Sequence, residues 1–169
     1  MLSQFCFFAS MALSFIGWGI VAKRYIWPKL RLLTREEALR PLLTLHSFRF
    51  IGLAFLVPGV VSTDLPSAFA YGAAYGDLVA ATLALASLAL LPQRAGLVSA
   101  WLFSVWGFAD LLNAFYQANR VALVPGELGA AYFIPTLVVP LLLITHLLAF
   151  RILLRHQSLP AMRASQLPA

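Results

Sequence analysis

Apolar side chains gather into five long runs, broken by short segments rich in charge, Pro and Gly. The runs cover about 5–22, 42–61, 73–91, 97–117 and 131–154. Each approaches the roughly 20 residues that a helix rising 1.5 Å per residue needs to cross a hydrocarbon core about 30 Å thick. The pattern predicts an all-α integral membrane protein: one five-transmembrane-helix bundle over residues 1–157, then a short disordered cytoplasmic tail, 158–169.

The punctuation between the runs carries its own signals. Thr34-Arg-Glu-Glu37 is a capping box that predicts the start of a short interfacial helix before the second span, and Pro41 is expected in the first turn of that span. Pro92 to Gly96 forms a short turn, which makes the third and fourth helices antiparallel neighbours. Pro125-Gly126-Glu127 marks a polar loop before the fifth span, and Pro58, Pro135 and Pro140 are expected to kink spans and free carbonyls.

Composition excludes a soluble domain, because 62% of the 169 residues are hydrophobic, 11% are charged and the mean hydropathy is +0.87. One bundle consumes this length and leaves no room for a second domain. Cys6 is the single cysteine and lies in an apolar run, so no internal disulfide can form.

Charge then fixes a direction. The net charge of +6 would suggest nucleic acid in a soluble protein, but cytoplasmic loops of membrane proteins collect Lys and Arg, so no nucleic-acid partner is expected. With the N-terminus outside and the C-terminus cytoplasmic, ten basic residues are cytoplasmic: Lys23, Arg24, Lys29, Arg31, Arg35, Arg40, Arg94, Arg151, Arg155 and Arg163. Arg120 alone is external. Tyr71, Tyr75, Tyr116 and Tyr132 then form an outer aromatic belt, and Tyr25, Trp27 and Trp101 an inner one. The basic loop is expected to meet anionic lipids. Arginine outnumbers lysine ten to two amid much Ala, Leu and Pro, which suggests a GC-rich bacterium and hence its inner membrane.

Small residues and polar residues inside the runs mark candidate packing and function. Gly72, Gly76, Ala80 and Ala84 form a row at spacing four, suited to close packing within the chain or to a homodimer seam. Ionisable groups inside a span cost about 2.5–3.5 kcal/mol on insertion scales, so each needs a partner, water or a function. Arg49 and His46 share a face of the second helix, and Asp77 is expected at the outer boundary of the third, favouring its dipole. Asp110 heads a stripe with Trp106, Asn113 and Gln117 on the fourth helix. An axial offset of about 10 Å is expected to separate Arg49 from Asp110.

The expected function is therefore an outward-opening polar pocket that binds or transports a small polar ligand or cation. Its candidate residues are Asp110, Asn113, Gln117, Arg49, Trp106 and Asp77, with His46 and His146 as a proton path. The same two histidines offer an alternative, axial ligation of haem b in a haem- or quinone-binding redox protein. A structural subunit with no ligand site is the third reading. No nucleotide loop, thiol metal motif or catalytic triad is present.

Overall fold

The computed structural model describes residues 1–93 and 95–155. Arg94, Arg163 and the expected tail 158–169 lie outside the described residues. Five helices are long and apolar enough to cross a membrane: α1 (Leu2–Leu30), α2 (Arg35–Leu56), α3 (Ser67–Leu90), α4 (Gly96–Arg120) and α5 (Ile134–Leu153). The expected capping box opens α2: Thr34 Oγ1 accepts from the Glu37 amide at 3.3 Å, and Glu37 Oε2 accepts from the Thr34 amide at 3.1 Å.

Several boundaries differ from those that hydropathy drew. The second helix begins seven residues before the apolar run, so Pro41 sits inside it rather than in its first turn. Its missing N–H leaves the Glu37 carbonyl without an i+4 partner. The third helix begins at Ser67 rather than near 73, because Pro66 starts it while Tyr71, Gly72 and Tyr75 still read as boundary residues. A short 3₁₀ stretch, Pro125–Tyr132, precedes α5, which itself opens with a π-wound turn over Ile134–Val138.

Helices α2, α3, α4 and α5 form the packed centre, while α1 lies outside against α5 and has no buried residue between Leu2 and Val21. The Trp18 indole donates to the Leu137 carbonyl in the π-wound turn at 3.0 Å and ties α1 to α5. Ser87 and Ser99 hydroxyls join α3 to α4 at 2.8 Å. Toward the ends of α2 and α3 that meet the basic residues, the core is Leu and Ala: Leu39, Leu43, Ala84, Ala100 and Ile152 are almost wholly buried. The opposite half is looser and aromatic, built on Phe55, Phe69 and Leu128.

The small-residue row works inside the chain. Ala80 and Ala84 are fully buried in the single chain, and Gly76 faces α4, so a seam between copies cannot use the row as a whole. Nothing lies within 4 Å of the position a Gly72 side chain would take.

The aromatic end is closed by two loops. The Ser62 amide donates to the Glu127 carbonyl at 2.9 Å, and the Ala130 amide to the Val60 carbonyl at 2.8 Å. Gly129 makes that contact possible. Its φ of +52° and ψ of −131° exclude a β-carbon, which would also collide with the Val60 carbonyl oxygen. Gly129→Ala is therefore expected to destabilise the protein by about 1–3 kcal/mol. Thermal unfolding in detergent measures this, and an unchanged midpoint would count against the loop clasp.

Candidate functional site

Helix α2 changes its winding on the way to the site. From Phe48 to Leu56 it is 3₁₀, with three residues per turn instead of 3.6. Residues three apart then share a face, and the buried residues of this stretch are Arg49, Gly52 and Phe55. His46, one further step of three back, is fully buried on the same side.

Arg49 is 1% exposed, and its guanidinium reaches three other helices. Nε donates to Asp77 Oδ1 of α3 at 2.7 Å, and Nη2 donates to Asp110 Oδ2 of α4 at 2.6 Å. Nη1 donates to the Gly107 carbonyl at 3.0 Å and lies 3.3 Å from His146 Nε2 of α5. A guanidinium has no acceptor, so His146 Nε2 accepts and that ring carries its proton on Nδ1.

The pairing of Arg49 with Asp110 overturns the expected axial offset. Arg49, Asp77 and Asp110 each lie thirteen or fourteen residues from the end of their helix on the basic side, so all three stand about 20 Å along the bundle. The hydrophobic onset at Leu42 lies seven residues inside the helix, so a depth measured from it is too shallow for Arg49. Asp77 likewise is the eleventh residue of α3, 7% exposed and ion-paired, rather than a boundary acid serving the dipole.

Three glycines make the cluster possible, in a cyclic arrangement. A β-carbon on Gly52 of α2 would meet the Asp77 carboxylate of α3, and one on Gly76 of α3 would meet the Asp110 carboxylate of α4. One on Gly107 of α4 would come within 2.8 Å of Arg49 Nη1 of α2 and of His146. Each of the three helices thus supplies one charge and one glycine, and each glycine makes room for the charge of another.

The remaining candidates separate. Helix α4 turns about 100° per residue, and its buried positions Phe103, Ser104, Gly107 and Leu111 lie on one flank of Asp110. Trp106, Asn113 and Gln117 lie on the other flank, where Trp106 and Asn113 are exposed and Gln117 is half-buried. The stripe therefore stands outside the bundle except at Asp110. Sequence reading missed Phe55, Phe69 and Phe115, which are apolar in an apolar chain, and the glycines facing charges.

The three phenylalanines line a cavity of about 550 Å³ on the aromatic side of the cluster. Asp77 and Asp110 form its floor, Phe7, Met11, Phe55, Phe69 and Phe115 stand among its walls, and Gln4 and Asn119 lie at its far end. Asn119 is nine residues beyond Asp110, hence about 14 Å along α4.

His46 and His146 meet directly, with ring centroids 4.1 Å apart. His46 Nε2 lies 3.0 Å from Thr145 Oγ1, whose own proton is taken by the Leu141 or Leu142 carbonyl, so His46 donates. Both Nδ1 atoms are buried without a partner. Axial haem ligation requires the iron and the macrocycle between two imidazoles, and rings in contact, with both Nε2 atoms engaged, leave no space for it. The histidine pair does not fit haem b.

Breaking a buried ion cluster strands its remaining charges at a cost of about 3–5 kcal/mol. Arg49→Met is accordingly expected to abolish a monodisperse folded fraction in mild detergent. Adding Asp77→Asn and Asp110→Asn to it is expected to restore one. Failure of that rescue, read by size-exclusion chromatography, would show that Arg49 acts through something other than its two carboxylates.

The family described as a domain of unknown function, DUF8737, matches residues 6–154, and the chain belongs to it. No curated protein and no solved structure matches the chain.

Proposed function

We propose that this member of the DUF8737 family is a multi-pass protein of a bacterial inner membrane that binds a small amphiphilic cation in its aromatic cavity. The carboxylate floor would hold the cationic head, and the phenylalanine walls would hold the apolar body. The observation that carries this reading is the charge count at the floor. Two carboxylates face one guanidinium there, and His146 is neutral because it accepts from Arg49. One formal negative charge is left beside a cavity that is otherwise lined mainly by apolar side chains.

The volume supports a ligand rather than a packing gap. About 550 Å³ lies within the 300–1,000 Å³ of ordinary small-molecule sites, and such sites combine apolar walls with few polar groups. Aromatic faces add attraction for a desolvated cation, worth up to about 2 kcal/mol. A small, strongly hydrated ion would find too few oxygens here to replace its water.

The side from which the ligand enters follows from charge asymmetry. Eight of the ten Lys and Arg among the described residues lie toward the end where α1 finishes and α2 begins, which supports an N-terminus outside and a C-terminus in the cytoplasm. The cavity is at the other end and would open toward the outer leaflet.

Tetraphenylphosphonium and tetraphenylborate, which share shape and differ in sign, test the proposal. The cation is expected to raise the thermal midpoint of the purified protein, the anion is not, and Asp110→Asn is expected to remove the difference. Equal responses to both ions would refute charge recognition, as would an undiminished response in the variant.

A further inference from the structure

The basic end of the bundle holds a second cluster that the cavity does not use. Arg151 in the last turn of α5 and Arg155 just beyond its end each place the guanidinium carbon 4.4 Å from the centroid of the Trp27 ring of α1. Arg155 Nη1 donates to the Arg31 carbonyl at 3.4 Å, and Arg35 of α2 donates through Nη2 to the Arg155 carbonyl. Arg35 Nε is buried and has no hydrogen-bond partner among the described residues. The side chains of Arg35, Arg151 and Arg155 thereby gather around the Trp27 ring and the Arg31 and Arg155 carbonyls.

Among the described residues, no carboxylate is ion-paired with them, and the ion pairs are those of Arg49 alone. Glu37, the nearby acid whose contacts are fixed, is engaged with Thr34. The C-terminus of α5 supplies the equivalent of about half a negative charge, too little for several converging guanidiniums. The Trp27 ring holds two of them in place before any ligand arrives, which lowers the ordering cost of binding. Leu32, Leu33 and Leu154 are exposed beside them, so an anion bound here would sit next to apolar surface.

We propose that this cluster is a binding site for the phosphate group of an anionic lipid. Guanidinium forks match phosphate oxygens in pairs, the site stands at the end of the apolar spans where headgroups lie, and the neighbouring leucines suit acyl chains. A zwitterionic lipid would bring a choline cation to a cluster of guanidiniums of like charge. The inference rests on membrane insertion but not on the aromatic cavity, so either site can fail without the other.

Native mass spectrometry of the full chain in mild detergent, titrated with phosphatidylglycerol, phosphatidylcholine or inorganic phosphate, provides the test. Wild-type protein is expected to retain phosphatidylglycerol in preference to phosphatidylcholine. Arg151→Gln with Arg155→Gln is expected to weaken phosphatidylglycerol binding by roughly thirtyfold, about what two interfacial arginines contribute. Lys23→Gln with Arg24→Gln removes the same charge from exposed positions of α1 and is expected to change it much less. Equal losses in the two double variants would reduce the site to diffuse attraction and overturn the proposal. So would a wild-type protein without preference for the anionic lipid, a measurement that needs no variant to fold. Inorganic phosphate displacing the lipid completely at equal concentration would reassign the site to a soluble anion.

Discussion

The Arg49 guanidinium is the contact on which the bundle depends, because it alone is bonded to α3, α4 and α5 while belonging to α2. In lipid, helices gain little from apolar burial against one another, since the tails are as apolar as leucine. Close approach and polar links then decide which faces meet. The three glycines answer the first need and the guanidinium the second. They cannot be separated, since each glycine clears the volume that a charged side chain fills. A buried ion pair is weak evidence of net stability, as desolvation offsets much of its attraction. Its firmer consequence here is register. Sliding one helix by a turn would move a charge about 5.4 Å from its partner and into a wall of Leu or Phe.

Register explains what the chain did and did not disclose. Five helices long and apolar enough to cross a membrane were legible because apolar length is a coarse signal that survives errors of several residues at either end. Arg49, Asp77 and Asp110 were legible as anomalies because a charge inside an apolar run needs a reason. Their meeting was not. It depends on helix ends, and α2 starts at Arg35 and α3 at Ser67, where hydropathy alone drew neither boundary. It also depends on the 3₁₀ winding of Phe48–Leu56, which aligns Arg49, Gly52 and Phe55 where an α-helix would spread them. The stripe of Trp106, Asn113 and Gln117 failed for a related reason. Side chains within 60° of Asp110 can fall on either flank of it, and polarity does not say which flank faces inward.

The cavity was invisible for a different reason. Its walls are largely phenylalanine, alanine and leucine, indistinguishable in sequence from the apolar residues exposed on the outside of the bundle. What sets it apart is the unequal packing of the two halves. Where α2 to α5 meet through Leu, Ala and Ile, the interior is filled. Beyond Arg49 the α2 helix stops at Leu56, while α4 continues to Arg120. The missing length of α2 is made up by the loop around Val60 and the stretch Pro125–Tyr132, whose backbones close the end without filling the space beneath.

This geometry bears on whether the ion cluster is only a lock. A lock between three helices needs one charge and one counter-charge, and a third, hydrogen-bonding neutral residue would complete it at lower desolvation cost. Each carboxylate is instead accommodated by one glycine of a neighbouring helix and placed against open volume rather than against packed side chains alone. Asp77 and Asp110 each give one oxygen to Arg49, and both border the cavity. A cationic head entering there would complete a two-to-two charge balance without displacing Arg49. Binding would then tighten the same contacts that set the helix register, so occupancy of the cavity and rigidity of the bundle should rise together.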